Sequence, residues 1–184
     1  KSRGWDTMVS SQPRFSLLDR HIEKDHLPFC RRAGLGLIVY SPLAQGVLTN
    51  KYAGGAKPEG SRATSKFAHF LTAEKALTPE NVAAAERFAA WVAANGLPGP
   101  ARVALAWVLR HAEVSSAIIG ATSIAQLEEN AKAVDLKLDA AQARGAEAAI
   151  AGRAGRSRGA GAAKRMAKRP AKPRAAGRRT RRGR

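Results

Sequence analysis

Residues 114–134 have the sequence VSSAIIGATSIAQLEENAKAV, and this stretch decides the fold class. Residues 114–120 are a short apolar run before a turn, which predicts a buried strand of a parallel sheet. Residues 123–134 predict a helix, because Ser123 and Gln126 have the spacing of a capping box. A strand, a tight turn and a helix in this order are the repeating unit of parallel α/β folds.

The same alternation continues toward the amino-terminal side. Residues 35–40 (LGLIVY) are a compact apolar run that predicts a second buried strand, and residues 7–12 (TMVSSQ) predict a third. Residues 42–78 have weak periodicity and scattered glycine and proline, which predicts a long loop with short helical turns. The periodic segments that predict further helices are 21–32, 79–95 and 100–111. Because a (β/α)₈ barrel needs eight strands and typically about 250 residues, these elements favour at most a partial barrel.

Charge divides the chain into two regions. The 184 residues have a net charge of +18, but residues 152–184 contain 14 of the 32 basic residues and none of the acidic ones. Residues 1–151 therefore have a net charge of only +4. Residues 152–184 contain almost no large apolar side chain, so we expect them to be disordered. Such a tail predicts nonspecific nucleic-acid binding through counterion release, or else a charged run without a function.

Several classes of protein are excluded by composition. No stretch approaches 18 consecutive strongly apolar residues, so no membrane helix is expected. Cys30 is the single cysteine, which excludes an intrachain disulfide and a cysteine-based zinc site. The four histidines lack metal-ligand spacing, so no metal site is expected. No signal-peptide pattern opens the sequence, which leaves the cytoplasm as the expected location.

Three positions follow predicted strands and so lie where ligands of parallel α/β folds gather. The turn at Gly120 leads into a helix and is suited to a phosphate, although a capped turn without a ligand is the commoner case. Tyr40 offers an aromatic face and Ser41 a hydroxyl, with a core role for Tyr40 as the alternative. Gln12 has an amide that pairs with a carboxamide, or is an ordinary polar strand end.

Three motifs together resemble the aldo-keto reductase superfamily. They are QPRFSLLDR (12–20), YSPLAQGVLTNKY (40–52) and IIGATSIAQLEEN (118–130), within a resemblance that covers about residues 5–140. The most similar subgroup is the bacterial reductases related to potassium-channel beta subunits. The resemblance implies that residues 1–151 are the carboxyl-terminal half of an α/β (β/α)₈ TIM barrel. It also implies NAD(P)H-dependent reduction of small aldehydes and ketones by hydride transfer.

The resemblance implies a cofactor site along these motifs, with NADP as the expected cofactor and NAD as the alternative. At the nicotinamide end, Gln12 is expected to contact the carboxamide and Tyr40 to stack on the ring. The remaining residues are expected to hold the phosphates and the adenosine. Those over the pyrophosphate are Ser41, Pro42, Leu43, Ala44 and Gln45, with Lys51 and Arg62 in the closing loop. Those at the adenosine are Gly120, Thr122, Gln126, Glu129 and Asn130.

The departures from the family pattern limit the expected activity. The catalytic tetrad of the family (Asp, Tyr, Lys and His) lies upstream of the position matching Gln12, so none of Asp6, Tyr40, Lys51, Tyr52 or the histidines is assigned to it. We therefore expect little turnover by this chain alone, which leaves a cofactor-sensing module as a third alternative. After Asp139 the sequence departs abruptly from the family pattern, which suggests a truncated or frame-disrupted gene product. The oligomeric state stays open.

Overall fold

The computed structural model describes Gly4 and residues 6–152. Within these residues, a small parallel sheet is covered by helices. The strands are β1 (Ser10–Ser11), β2 (Gly36–Val39) and β3 (Val114–Ala117). The α-helices are α1 (His26–Ala33), α2 (His69–Ala73), α3 (Pro79–Ala94), α4 (Pro100–Leu109), α5 (Ile124–Ala131) and α6 (Ala140–Ile150). Short 3₁₀ turns occur at His21–Glu23, Ala44–Thr49, Ala53–Gly55, Arg62–Thr64 and Lys132–Val134.

The sheet has the order β1-β2-β3, and both pairings are parallel. Gly36 is opposite Ser10, while Leu37 is opposite Val114. A side chain at Gly36 would bring its Cβ to 2.6 Å from Ser115 Oγ, so glycine permits the close approach of β2 and β3. Because all strands are parallel, their carboxyl ends meet at one edge of the sheet, as the alternation predicted.

All three predicted strands are shorter in the structure, and the one predicted at 35–40 spans only Gly36–Val39. The strand predicted at 7–12 is paired only at Ser10–Ser11, because the preceding Met8 and Val9 are 72% and 78% exposed and have no core to cover. The strand predicted at 114–120 ends at Ala117. The Ile118 N–H still donates to Val39 O at 2.8 Å, after which the chain turns.

The helix predicted at 21–32 begins later, at His26. A separate 3₁₀ turn at His21–Glu23 precedes it. Pro28 explains the start, because it then falls in the first helical turn, where its missing N–H leaves no hydrogen bond unmade. Gly34 ends the helix with φ 67°, and its N–H donates to Cys30 O.

The core lies under β2 and is formed mainly by α3 and α4. Positions 103–108 of α4 are all buried. The Trp107 ring is fully buried with its centroid 5.3 Å from that of Phe15, and its Nε1–H donates to Glu147 Oε1 at 3.0 Å. As the sequence predicts, α3 begins with Thr78, whose hydroxyl accepts from Asn81 N–H, and Pro79 occupies its first turn.

The segment after Asp139 forms a further helix, while the suggested truncation or frame disruption stays a prediction. Asp139 and Gln142 form a complete capping box at the start of α6. Ala143 and Ala146 are buried against α3. Gly145 permits this packing, because a Cβ there would be 2.5 Å from Trp91 Cζ2. Small residues, which bury little area each, therefore still give a close contact between two helices.

The predicted disorder of the basic tail concerns residues 152–184, and all but Gly152 lie outside the described residues. In the described ranges, no helix has both the length and the apolar character needed to span a bilayer. No cluster of three or more His, Cys, Asp or Glu side chains there is arranged to hold a metal ion.

Candidate functional site

A groove of about 1220 Å³ opens at the carboxyl edge of the sheet. The loop after β2 forms one wall, and the turn from β3 into α5 forms the other. The segment around 58–74, which contains α2, lies along a third side. This volume slightly exceeds the usual range for small-molecule sites, so the groove has room for a large ligand.

The loop after β2 holds an unusual backbone conformation. Ser41, Ala44 and Gln45 have φ values of 53°, 48° and 57°, in the left-handed region that ordinary residues avoid. Each such residue stores about 1–3 kcal/mol of strain, which the surroundings have to offset. The Ala44 and Gly46 N–H groups donate to carbonyls of the turn, whereas those of Leu43 and Gln45 have no partner in the described part of the chain. Two backbone donors of this loop therefore have no acceptor among the described residues.

The side chains at both ends of this loop converge on one carboxylate. Gln45 Nε2 donates to Glu74 Oε1 at 2.7 Å and to Ser41 Oγ at 2.7 Å. The Ser41 hydroxyl donates to Glu74 Oε2 at 3.1 Å. Glu74 is half-buried, lines the groove, and has no cation within ion-pair distance among the described residues. Its carboxylate is thus held only by neutral donors.

Two cations line the groove without an acidic partner in the described part of the chain. Burial lowers the pKa of Lys51, and repulsion from Arg62 lowers it further. Lys51 Nζ lies 5.3 Å from the centre of the Tyr52 ring, and Arg62 lies 5.9 Å from that of Phe70. Two unpaired cations that repel each other make this part of the groove attractive to an anion.

The turn into α5 differs in detail from the predicted capping box. Ser123 Oγ accepts from Gln126 N–H at 3.2 Å, as expected. The Gln126 side chain, however, accepts from the N–H and the hydroxyl of Thr122, at 3.0 and 3.1 Å, and not from the Ser123 N–H. One N–H donor of this turn is therefore already used by the protein.

An ion pair closes the far end of the groove. The guanidinium of Arg102 binds the carboxylate of Glu129 at 2.6 and 2.9 Å. The hydrogen bond from Arg102 lowers the pKa of Glu129, although partial burial opposes the shift, and Lys132 adds a weaker contact at 3.6 Å. Arg102 is thus committed to Glu129 in this structure.

The sequence profile of the Aldo/keto reductase family matches residues 1–151. The chain belongs to the aldo/keto reductase family.

The relatives that this chain resembles are named for different functions. The chain is 40% identical over 132 residues to a putative voltage-gated potassium channel subunit beta from Schizosaccharomyces pombe, covering 69% of this chain and 37% of that protein. It is 34% identical over 132 residues to an NADH-specific methylglyoxal reductase from Escherichia coli, covering 72% of this chain and 39% of that protein. The chain therefore spans somewhat under two fifths of the length of these relatives.

The fold agrees with a solved structure. The glycerol dehydrogenase of Gluconobacter oxydans superposes with a TM-score of 0.61 at 23% identity. The match covers 79% of this chain and 43% of that one. A likeness at this identity supports the partial-barrel architecture, and three parallel strands with flanking helices agree with it.

Most of the residues predicted for the site of this aldo/keto reductase line the one groove, twelve of fourteen in all. Gln12 is not among them, because it follows the outer strand β1, two strands away from β3, and its side chain is exposed. Ala44 is not among them either, because it is buried in the core at 7% exposure. The twelve that line the groove are Tyr40, Ser41, Pro42, Leu43, Gln45, Lys51, Arg62, Gly120, Thr122, Gln126, Glu129 and Asn130.

Sequence reasoning missed other parts of the groove. Glu74, Phe67 and Phe70 come from the segment without periodicity, where no local pattern indicates which side chains turn inward. Phe67 and Phe70 are 46% and 40% exposed, and their rings stack at 6.4 Å. Gly46 lies within the YSPLAQG motif and could have been predicted. A glycine near Lys51 in sequence permits a close approach of the backbone to the lysine side chain.

Proposed function

We propose that this chain forms the dinucleotide-binding part of an NAD(P)H-dependent aldo-keto reductase that reduces small aldehydes or ketones. The observation that carries the proposal is the pair Lys51 and Arg62, two cations without an acidic partner among the described residues, in a groove of about 1220 Å³. A dinucleotide has a pyrophosphate between two flat rings, which matches cations flanked by an aromatic side chain and a helix start.

The residues present fit such a cofactor. Ser61 lines the groove, and its Oγ is buried without a hydrogen-bond partner among the described residues. An oxygen of a ligand would satisfy it. Gly46 has φ 93°, and a Cβ there would be 2.8 Å from Lys51 Nζ, so glycine keeps the cation in place. The N–H groups of Leu43 and Gln45 supply further donors. These groups would hold the phosphates.

Reduced nicotinamide supplies a hydride from its C4 to a carbonyl carbon. Tyr40, 38% exposed at the end of β2, would support one face of that ring and leave the other face to the substrate. Lys51 and Arg62 would fix the phosphates and so set the position of the ring. Water is excluded from the supported face by the tyrosine itself.

Reduction of a carbonyl also needs a proton donor for the developing alkoxide, and none of the residues above is assigned to that role. The chain has two tyrosines, Tyr40 and Tyr52. Tyr52 is 1% exposed and outside the lining of the groove, so its hydroxyl has no access to a substrate there. Without a general acid the rate falls by about 10²–10⁴-fold. We therefore expect little carbonyl reduction by this chain alone.

NADP is the cofactor that we propose, with NADH as the alternative. The adenosine end decides between them, because a 2′-phosphate needs a free cation. Arg102 is committed to Glu129, and Gln126 is neutral. Arg62 is the remaining cation nearby, with Nη2 4.0 Å from the position of a Cβ on Gly120. One relative is named an NADH-specific reductase, so the affinities of this chain for NADPH and NADH should be measured side by side.

Titration of NADPH and NADH against the 184-residue chain, followed by nicotinamide fluorescence, tests the proposal. We expect binding that weakens at least fivefold in Tyr40→Ala, because the ring loses its stacking partner. Phe29→Ala is the matched control, since Phe29 is 49% exposed on α1 outside the groove. Equal affinities of wild type and Tyr40→Ala, or no binding of either nucleotide, would contradict the proposed function.

The remaining expectations stay predictions. Nonspecific nucleic-acid binding rests on the charge of residues 152–184 and lies outside the described residues, apart from Gly152. The cytoplasmic location and the division at residue 151 rest on the sequence alone.

A further inference from the structure

Among the described carboxylates that line the groove, Glu74 accepts hydrogen bonds from the side chains at both ends of the strained loop, residues 41–45. It lies at the end of α2, where its N–H donates to Phe70 O. A carboxylate is disfavoured at the carboxyl end of a helix, so its local secondary structure does not explain its presence. Its two oxygens instead accept from Ser41 and Gln45.

The donors that Glu74 uses are those of the loop that faces the groove. Ser41 and Gln45 both have left-handed backbone conformations, and Gln45 Nε2 bridges Ser41 Oγ and Glu74 Oε1. A phosphate oxygen entering this wall would seek the same hydroxyl and amide. A carboxylate and a phosphate cannot share one set of neutral donors without repulsion, so one excludes the other.

We propose that Glu74 is an internal competitor for anionic ligands, which occupies the Ser41 and Gln45 donors until a ligand phosphate displaces it. This deepens the proposed function and rests on it for the identity of the ligand as a dinucleotide. Displacement releases the two ends of the strained loop together, because one carboxylate holds both. Glu74 thus sets the affinity of the groove for phosphate without touching the reacting atoms.

Replacing Glu74 by glutamine keeps the shape of the side chain and removes its charge. We expect Glu74→Gln to bind NADPH and inorganic pyrophosphate about 3–10-fold more tightly than wild type, because the ligand no longer displaces a charged acceptor. Isothermal calorimetry measures both ligands on the full chain. Glu59→Gln is the matched control, since Glu59 lines the same groove but makes no contact with Ser41 or Gln45. We expect less than a twofold change there.

The two ligands separate this proposal from the proposed function. If pyrophosphate shows the gain and NADPH does not bind, the competitor role stands and the reductase proposal fails. If NADPH binds but Glu74→Gln equals Glu59→Gln or binds more weakly, the competitor role is wrong and the reductase proposal stands. If neither wild type nor Glu74→Gln binds either ligand, both are wrong.

A spectroscopic measurement distinguishes competition from a purely structural role. In wild type, adding pyrophosphate should move the side-chain amide resonance of Gln45, because its acceptor changes from Glu74 to the ligand. In Glu74→Gln the same resonance should already be shifted before any addition. An unchanged Gln45 resonance on saturation of the wild type would overturn the proposal. Unchanged melting temperatures of the variants confirm that the fold is intact.

Discussion

The two walls of the groove start from neighbouring parallel strands but are supported very differently. The loop after β2 is anchored in the core, with Ala44, Val47, Leu48 and Tyr52 all at 7% exposure or less. Helix α5 after β3 buries none of its residues, and Ile124 and Leu127 on it are 77% and 54% exposed. An embedded loop can keep a strained backbone, whereas a peripheral helix depends on its cap and its ion pair.

The largest expected effect comes from the same substitution on the two walls. Leu48→Ala removes a fully buried side chain and should lower the free energy of unfolding by about 2–5 kcal/mol. Leu127→Ala on α5 should change it by less than about 0.5 kcal/mol, because that side chain is already exposed. Urea denaturation followed by circular dichroism measures both. Similar losses from the two variants would show that α5 is supported by contacts absent from this structure.

A second contrast uses one glycine from each wall. Gly46→Ala should lower the free energy of unfolding by about 1–2 kcal/mol, because alanine is strained at φ 93°. It should also weaken NADPH binding, since the new Cβ displaces Lys51. Gly120→Ala should leave stability nearly unchanged, as its Cβ would meet only Arg62 Nη2 at 4.0 Å. Thermal melting of both variants tests this, and equal losses of stability would contradict the comparison.

The smallest effect concerns the pH dependence of ligand binding at the embedded wall. Burial and Arg62 lower the pKa of Lys51, so its charge is lost at a lower pH than that of an ordinary lysine. Affinity for NADPH should therefore fall about 3–10-fold as the pH rises through the lowered pKa of Lys51. Lys51→Arg should keep its affinity over that range, because arginine stays charged. Lys57→Arg, outside the groove, serves as control and should follow wild type. A flat wild-type profile would show that Lys51 does not contact the ligand.

The same shift has a consequence for stability with a defined sign. Because the folded pKa of Lys51 is lower than its unfolded value of 10.5, the unfolded chain binds more protons between the two values. Stability contributed by this group therefore rises with pH across that window. As the pH rises, the affinity for NADPH should fall while the contribution of Lys51 to the free energy of unfolding rises. The two effects can therefore be distinguished.

Local patterns predicted the helices better than the strands. Thr78, Pro79 and the periodic residues after them fix α3 through short-range capping, so its start agrees with the prediction. Strand length instead depends on which neighbours are present, and the exposure of Met8 and Val9 shows that no second strand covers β1 in the described residues. The start of α1 was missed because residues 21–23, which the prediction included in the helix, form a separate 3₁₀ turn.

Residues of the groove could be predicted from the sequence where they belong to a motif. They could not be predicted where only tertiary packing brings them to the groove. The loop after β2 and the turn before α5 bring twelve predicted residues to one groove. The role of Gln12 stays a prediction: the structure places it after the outermost strand β1, a position that no local pattern indicates. Glu74 was missed because its partners Ser41 and Gln45 are about 30 residues away in sequence.

The register of β2 and β3 has a consequence for how the chain is made. Leu37 pairs with Val114, which leaves 76 intervening residues to be synthesised before this edge of β2 finds its neighbour. At about 5–20 residues per second, the ribosome exposes that edge for roughly 4–15 seconds. Throughout that interval the backbone groups along this edge of β2 stay without their β3 partners, and an unpaired edge is a template for pairing with another chain.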